Sequence, residues 1–213
     1  MTATSRLPGH RPPAGATPAE ILETWLPEAF AAAPARWEGG SPRLRLTLSG
    51  SAGGEWEIEV DDDRLSVERT MPTIGVRRPD PDIWIRMPAG DFLAVPFPSA
   101  DLIEFLPPDA DLVDLLFAQA PDRELLAKLD GRIKFELEGR RRRRWFVDAA
   151  FGPAGMRAGR PRTTVSIDNG TCDKLAERSL TPLQALLSGR LRVEGDRVLA
   201  MQVLMLVAAR VGG

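Results

Sequence analysis

Few residues of this chain could support catalysis. Its single histidine is His10, its single cysteine is Cys172, and it contains no tyrosine. A serine–histidine–aspartate triad, a cysteine–histidine pair and a multi-histidine metal site all need histidine in a folded site. His10 falls instead in a segment rich in Pro, Gly and Ala. The sequence therefore predicts no catalytic residue, no metal site and no cofactor.

Three other groups of polar residues are open to two interpretations. Cys172 is either a small residue near a helix start or a reactive thiol. Asp168 and Asp173 could serve an enzyme that uses carboxylates alone, although nothing in their spacing is diagnostic. Asp61–Asp63 lacks further oxygen ligands at the spacing of a cation-binding loop, which is typical of a solvated turn. No glycine-rich segment matches a phosphate loop or a dinucleotide fingerprint.

The most concentrated charge in the chain is a run of five arginines, Arg140, Arg141, Arg142, Arg143 and Arg144. In one interpretation this run is a solvated hairpin tip between two strands. In the other it contacts anionic lipid head groups, where each basic residue contributes about 1 kcal/mol. Nucleic acid is not a predicted partner, because the chain has a net charge of −2 and the run has one flanking aromatic residue.

The strongest apolar signal follows Thr181. Thr181 and Pro182 suit the N-cap and the first position of a helix, and Gly189 suits the residue that ends it. Residues 190–194 then alternate polar and apolar side chains, as a half-buried strand does. Between positions 198 and 207 the one strongly polar residue is Gln202. This last segment is therefore predicted to be a helix that is buried on nearly every side or that borders something other than water.

Two parts of the chain share one pattern of strands. Alternating strands recur at a spacing of 89 residues, Arg43–Gly50 with Arg132–Gly139 and Trp56–Val60 with Trp145–Val147. A third predicted strand recurs after 82 residues, Ile83–Ile85 with Val165–Ile167. The first 120 residues carry a net charge of −9 and the remainder +7. The pattern predicts two related units, and the first is a degenerate copy because it lacks the closing strand.

Two of these segments resemble the sterol carrier protein 2 family. Gly-Arg-Ile-Lys-Phe-Glu-Leu-Glu-Gly at residues 131–139 is similar to the family's opening strand, and Ser-Gly-Arg-Leu-Arg-Val-Glu-Gly-Asp at residues 188–196 is similar to its closing motif. The resemblance covers about residues 109–207. It implies a small α+β domain with a twisted sheet, helices over one face and an apolar tunnel between them for a lipid.

The predicted fold class is α+β, with two related units that each contain a twisted, mainly antiparallel sheet covered on one face by helices. The predicted boundaries are a disordered leader at 1–17, a degenerate sterol-carrier-like unit at 18–108 and a lipid-binding unit at 109–213. The leader lacks the apolar core of a secretory signal. A single cysteine fits a reducing compartment, so the expected location is cytoplasmic.

The predicted function is non-enzymatic binding of a lipid or other hydrophobic molecule in an apolar tunnel, extending to its transfer or presentation. The resemblance and the helical spacing assign the lining to Phe135, Phe146, Leu183, Leu186, Leu187, Val193, Met201, Leu204 and Met205. The alternative is an accessory protein that docks an enzyme partner without carrying a lipid. The candidate partners are therefore a hydrophobic ligand, an anionic membrane and a protein.

Overall fold

A computed structural model of the protein describes residues 11–32, 43–61, 64–70, 80–95, 126–139, 143–176 and 179–211. The predicted boundary between residues 108 and 109 lies outside these ranges, as do Arg140, Arg141 and Arg142. Helices and strands are mixed along the described chain, which confirms the predicted α+β class.

The described helices include a continuous N-terminal segment that changes from α to π geometry and back. They are α1 Pro18–Glu20, a π-helix Ile21–Trp25, α2 Leu26–Ala31, α3 Ala89–Ala94, α4 Gly152–Arg157, α5 Asn169–Ala176, α6 Pro182–Leu187 and α7 Arg197–Val211. The strands are β1 Leu44–Ser49, β2 Gly54–Asp61, β3 Arg64–Thr70, β4 Ile83–Pro88, β5 Gly131–Glu138, β6 Arg144–Phe151, β7 Thr163–Asp168 and β8 Leu191–Glu194. The alternation pattern predicts all of these strands except β3.

The strands form one sheet in the order β3-β2-β1-β4-β6-β5-β7-β8. β1 is parallel to β4 and β5 is parallel to β7, whereas the other neighbouring pairs are antiparallel. The sheet is therefore mainly antiparallel, as predicted. β4 and β6 join its two halves edge to edge through pairs such as Ile85 with Ala149, so the predicted units share one sheet.

Both halves of the sheet contain the same three-strand arrangement. β1 pairs antiparallel with β2 and parallel with β4, and β5 pairs with β6 and β7 in the same two senses. The parallel ladders set Leu46 beside Ile85 and Phe135 beside Val165. The third strand therefore recurs after 80 residues, not the predicted 82. The halves share a strand topology, and their origin as two copies stays a prediction.

Residues 11–17, which the composition assigns to a disordered leader, lead directly into α1. Thr17 is the N-cap of that helix: its hydroxyl accepts a hydrogen bond from the Glu20 N–H at 3.3 Å, and the Glu20 carboxylate accepts one from the Thr17 N–H at 2.7 Å. Pro12 is buried and Ala16 packs against the core. The leader prediction is therefore wrong for residues 11–17, because capping and apolar contacts hold them in place.

The hydrophobic core lies on one face of the sheet, in one main cluster for each half and a smaller cluster around Trp145. In the N-terminal half the π-helix and α2 pack on the sheet around Trp56, which is fully buried and donates its indole N–H to Glu23 Oε1 at 2.7 Å. In the C-terminal half α7 packs on β5, β7 and β8, with Ile133 and Val165 fully buried beneath it. This second cluster contains most of the predicted lining residues.

Candidate functional site

Helix α6 begins and ends where the sequence predicts. The Thr181 hydroxyl accepts a hydrogen bond from the Gln184 N–H at 3.2 Å, and Gln184 Oε1 accepts one from the Thr181 N–H at 2.9 Å. Gly189 follows the helix with a φ of +70°, a left-handed conformation that favours glycine. The predicted cap and terminating glycine are therefore confirmed, and they fix which way the helix presents its leucines.

The apolar residues of α6 lie in two different environments. Ala185 is fully buried and Leu186 packs against the C-terminal cluster. Leu183 is 53% exposed and Leu187 is 79% exposed. One side of a short helix faces the sheet and the other faces outward. Leu183 and Leu187 therefore do not line an interior space between helix and sheet.

Helix α7 starts at a cap that sequence reasoning missed. Asp196 Oδ1 accepts hydrogen bonds from the N–H groups of Val198 at 2.9 Å and Leu199 at 3.0 Å. The signal was present, since an aspartate immediately before an apolar run is a common N-cap. This cap sets the rotation of α7, and with it the side chains that face the sheet.

The apolar surface of α7 is likewise divided. Its sheet-facing residues, all buried, are Leu199, Ala200, Val203 and Leu204. Val198 is 69% exposed, Met205 is 53% exposed and Met201 is part-buried. Positions 198, 201 and 205 lie on one side of a helix. Met201 and Met205, both predicted to line the tunnel, therefore belong to the outer edge of this helix.

The structure thus separates the nine predicted lining residues. Those that meet in the C-terminal cluster are Phe135, Leu186, Val193, Met201 and Leu204. Leu183, Leu187 and Met205 are exposed on α6 and α7. Phe146 lies on the opposite face of the sheet from Phe135, because Phe146 pairs with Glu136 while Phe135 pairs with Val147. Placing Phe146 with the others is wrong, since alternation in the run Trp-Phe-Val does not reveal which residue faces the core.

A solvent-open concavity of about 740 Å³ lies beside α6. Its lining residues are Lys174, Ser179, Leu180, Gln184, Leu187, Ser188 and Arg190. The Leu180 N–H donates to the Lys174 carbonyl at 3.1 Å, and the Ser179 hydroxyl donates to the same carbonyl at 3.2 Å. These bonds hold Ser179 and Leu180 against Lys174 of α5, and Leu180 and Leu187 line the same concavity.

The concavity beside α6 is cationic and apolar together. Lys174 and Arg190 are exposed on it, and no ion pair joins either of them to another residue in the described part of the chain. Its described lining contains no carboxylate. Such a surface can hold a molecule with an anionic end and an apolar body.

The arginine run is only partly described. Arg143 and Arg144 are exposed at the connection between β5 and β6, where the Arg143 guanidinium lies 5.2 Å from the Trp145 ring centroid. The Gly139 N–H donates to the Arg143 carbonyl at 2.8 Å and closes that connection. Contact of this run with a membrane stays a prediction.

The acidic residues considered for catalysis have a structural role where the structure describes them. Asp168 accepts hydrogen bonds from the N–H and hydroxyl of Thr171 at 2.9 and 3.0 Å, and so caps α5. Across the described ranges, no three His, Cys, Asp or Glu side chains are grouped so as to hold a metal ion. None of the helices described here combines the length and apolar character needed to cross a bilayer.

Residues 112–208 match a protein-family model described as the SCP-2 sterol transfer family. This region is therefore similar to the sterol carrier protein 2 family. The resemblance inferred from the sequence is confirmed there. The matched region contains β5 to β8, α4 to α6 and α7 as far as residue 208, and with them the concavity beside α6. The family description supports a role in binding or transferring sterols or other lipids in general terms.

Two curated relatives align with part of the chain. Hydroxysteroid dehydrogenase-like protein 2 of Xenopus tropicalis is 31% identical over 84 residues, which are 38% of this chain and 20% of that protein. The protein of the same name from Xenopus laevis is 30% identical over 84 residues, with the same two coverages. The chain therefore spans about a fifth of the length of the curated relatives it matches.

Solved sterol carrier structures are also similar to part of the chain. Sterol carrier protein domain 2 of Helicoverpa armigera is 19% identical, with a TM-score of 0.33 over 43% of this chain and 77% of that one. Sterol Carrier Protein 2 Like 2 of Aedes aegypti is 22% identical, with a TM-score of 0.28 over 37% and 74%. Sterol Carrier Protein 2 of Yarrowia lipolytica, in its apo form, is 13% identical, with a TM-score of 0.31 over 44% and 80%.

Proposed function

We propose that the C-terminal half of the chain binds an acidic lipid, without catalysis, in the concavity beside α6. Leu180 and Leu187 contact the acyl chain, and Lys174 and Arg190 attract the head group. The exposure of Leu187 carries this proposal. Apolar side chains that line a concavity with few, convergent polar groups are typical of small-molecule sites.

The apolar contacts supply most of the proposed affinity. Removing apolar surface from water contributes about 25 cal/mol per Å², or about 0.8 kcal/mol for each buried methylene. An exposed ion pair contributes at most about 1 kcal/mol, because water and salt screen it. The two cations therefore orient the head group, while Leu180 and Leu187 retain the chain.

We further propose that the far end of the ligand reaches the edge of the space between α7 and the sheet. Phe135, Val193 and Met201 are part-buried members of the C-terminal cluster. Side chains at this intermediate burial border accessible space as well as the core. Methionine is suited to such an edge, because its flexible thioether adapts to different apolar shapes.

Titration with palmitate tests the proposed site. Leu187→Asp places a carboxylate on the apolar wall of a site that takes an anion, and we expect at least about a tenfold loss of affinity, equivalent to about 1.4 kcal/mol. Leu187→Met keeps the wall apolar and should bind like the wild type. Ser66→Asp, on exposed β3 of the other half, controls for the added charge. Equal palmitate binding by Leu187→Asp and the wild type would exclude this concavity.

Peripheral membrane contact through the arginine run is a second part of the proposal. Arg143 and Arg144 are exposed, and replacing both with serine removes about 2 kcal/mol of attraction to an anionic surface. We expect weaker, less salt-sensitive binding to phosphatidylserine vesicles. The matched control is Arg157→Ser with Arg160→Ser, which removes two exposed arginines elsewhere. The membrane role fails if both double variants bind the vesicles alike.

An accessory role beside an enzyme is the second candidate function. It is favoured by the curated relatives, which are named hydroxysteroid dehydrogenase-like proteins. The segment that aligns with this chain is only about a fifth of each relative's length. Native mass spectrometry of the protein purified from its own cells distinguishes the two roles. A single enzyme bound at fixed stoichiometry, together with absent palmitate binding, would favour the accessory role. The cytoplasm remains the proposed location, on the strength of the single cysteine.

A further inference from the structure

The face of the sheet opposite the core carries a row of polar residues at the junction of the two halves. Cross-strand pairing sets Thr47 beside Arg86, Arg86 beside Asp148, and Asp148 beside Lys134. Residues directly opposite each other on neighbouring strands project from the same face. The row therefore crosses β1, β4, β6 and β5, and it joins residues of both halves.

The carboxylate in this row already has a partner. Arg132 Nε donates to Asp148 Oδ1 at 2.7 Å, and Arg132 Nη2 donates to Asp148 Oδ2. Arg132 is only 7% exposed, and its Nη1 also donates to the Gly159 carbonyl at 3.0 Å. Both oxygens of Asp148 are thus engaged in a bidentate pair. Asp148 therefore lies opposite Arg86 on the neighbouring strand but forms its ion pair with Arg132.

Two donors of Arg86 have no acceptor among the described residues. Its guanidinium lies 4.1 Å from the Trp84 ring centroid, and its Nε and Nη2 are buried with no hydrogen-bond partner among the described residues. Burial lowers the pKa of Arg86, the Arg132 charge lowers it further, and the Asp148 charge opposes both. An arginine nonetheless keeps its proton in a protein. A buried, charged group with unpaired donors indicates a missing acceptor.

A second concavity, of about 390 Å³, lies over this row. Arg86 and Lys134 line it together with apolar surface from Met87, Phe146 and Pro161. The volume is within the range of about 300–1,000 Å³ that is typical of small-molecule sites. It lies on the opposite side of the sheet from the core, and its lining shares no residue with the concavity beside α6.

The charges around this second concavity favour a single negative charge. Lys134 Nζ contacts Glu136 Oε1 at 2.6 Å and lies 4.3 Å from the Phe146 ring centroid. The charged side chains that line it are Arg86, Lys134 and Asp148, which together carry one net positive charge. The Arg132 charge that pairs with Asp148 and the Glu136 charge that pairs with Lys134 cancel each other. One monoanion balances that sum, whereas a doubly charged phosphate exceeds it.

We propose that this second concavity binds an organic monocarboxylate with a flat apolar body. The carboxylate accepts hydrogen bonds from the Arg86 guanidinium, which turns on the Trp84 ring to present its unpaired donors. The body of the ligand lies against Phe146 and Pro161. Because Arg86 belongs to one half and Phe146 to the other, the ligand also links the two halves and stabilises their junction.

Benzoate is the probe for this site, measured by calorimetry and by the NMR signal of the arginine Nε–H groups. We expect saturable binding that shifts the Arg86 Nε–H resonance and weakens at least about tenfold in Arg86→Met. Arg86→Lys keeps the charge but lacks the planar fork and should bind at an intermediate level. Arg192→Met is the matched control, because it removes an exposed arginine from β8.

Every outcome of the benzoate experiment either supports or overturns the proposed monocarboxylate site. Saturable benzoate binding that is lost in Arg86→Met, kept in Arg192→Met and kept in Leu187→Asp supports a site separate from the lipid site. Equal binding by Arg86→Met and the wild type overturns the assignment, as does the absence of saturation at millimolar benzoate. If inorganic phosphate binds as tightly as benzoate, the apolar part of the proposal is wrong. Circular dichroism of each variant confirms that it folds.

Discussion

The two halves of the sheet share a strand arrangement and differ in what covers it. In the N-terminal half, the π-helix and α2 bury their apolar residues on the sheet, and Trp56 is wholly enclosed. In the C-terminal half, α6 and α7 bury one side only. Every exposed large apolar side chain among the described residues belongs to these two helices: Leu183, Leu187, Val198 and Met205.

This difference indicates a division of roles within one sheet. Among the described residues, the helices of the N-terminal half expose no large apolar side chain to a ligand, whereas α6 and α7 expose leucine, valine and methionine side chains. The sheet residues beneath the helices are similar in both halves, since Leu46 and Phe135 occupy corresponding ladder positions. Binding capacity therefore depends on the helices, and the N-terminal half contributes stability and the junction face.

Truncating one apolar residue in each half gives the largest contrast. Trp56→Ala empties an enclosed site and leaves the Glu23 carboxylate without its indole donor, so we expect a loss of about 3–5 kcal/mol in the free energy of unfolding. Leu187→Ala removes an exposed side chain and should change it by less than about 0.5 kcal/mol. Urea denaturation measures both. Similar losses of unfolding free energy in the two variants would show that the helices of the two halves do not differ in how far they bury their apolar residues.

The two arginines at the junction provide a smaller contrast. Arg132→Met leaves Asp148 unpaired in a largely buried position, and we expect a loss of about 3 kcal/mol. Arg86→Met removes a partly buried charge whose Nε and Nη2 have no acceptor among the described residues, and it keeps an apolar side chain beside Trp84, so we expect no loss, or a small gain. Both substitutions have the same chemistry, which makes each the control of the other. A greater loss from Arg86→Met would mean that Arg86 has a structural partner.

The contact between the two halves should make stability depend on pH through Asp91. Asp91 in α3 accepts a hydrogen bond from the Phe146 N–H in β6 at 3.2 Å. Partial burial raises the pKa of Asp91, while that hydrogen bond and the Arg143 charge oppose the rise. The native state therefore holds this proton to a higher pH than the unfolded state does. Its contribution to stability falls as pH rises from the unfolded pKa, about 3.9, through the raised folded pKa.

Asp91→Asn removes this titration and is the smallest effect expected here. Relative to the wild type, the variant should gain stability as pH rises across that window and hold a constant difference above it. Urea denaturation at several pH values from about 3.5 to 6 measures the difference. If the stability of Asp91→Asn relative to the wild type instead falls as pH rises, the native state stabilises Asp91 as the anion.

Local signals in the sequence predicted local structure well. Helix α6 begins after Thr181 and ends before Gly189, as expected, because helix caps and left-handed turns depend on residues close in the chain. The alternation of Leu44, Leu46 and Leu48 predicted a strand with one buried face, which β1 has. The joining of β4 to β6 was not predictable in this way, since it pairs strands that lie about 60 residues apart.

Register and orientation were the main errors in the sequence interpretation. A shift of two residues keeps every side chain on the same face, so alternation could not distinguish a spacing of 80 from one of 82. The two halves also differ in the register of their antiparallel ladders. Trp56 pairs with Leu46, whereas Trp145 pairs with Leu137, which lies two residues beyond the position that corresponds to Leu46. In α7, apolar residues on nearly all sides left no pattern to show that Met205 faces outward. Sequence spacing therefore found residues near the site but not their orientation.

Photocrosslinking with a diazirine-bearing palmitate tests the central claim most directly, because it reports where a lipid sits rather than whether one binds. If the C-terminal helices hold the lipid, peptide mass spectrometry will find the label beside α6, at Leu180 or Leu187, or on α7 at Met201, and excess palmitate will compete it away. Competable label concentrated on the π-helix and α2, with none on α6 or α7, would contradict the account.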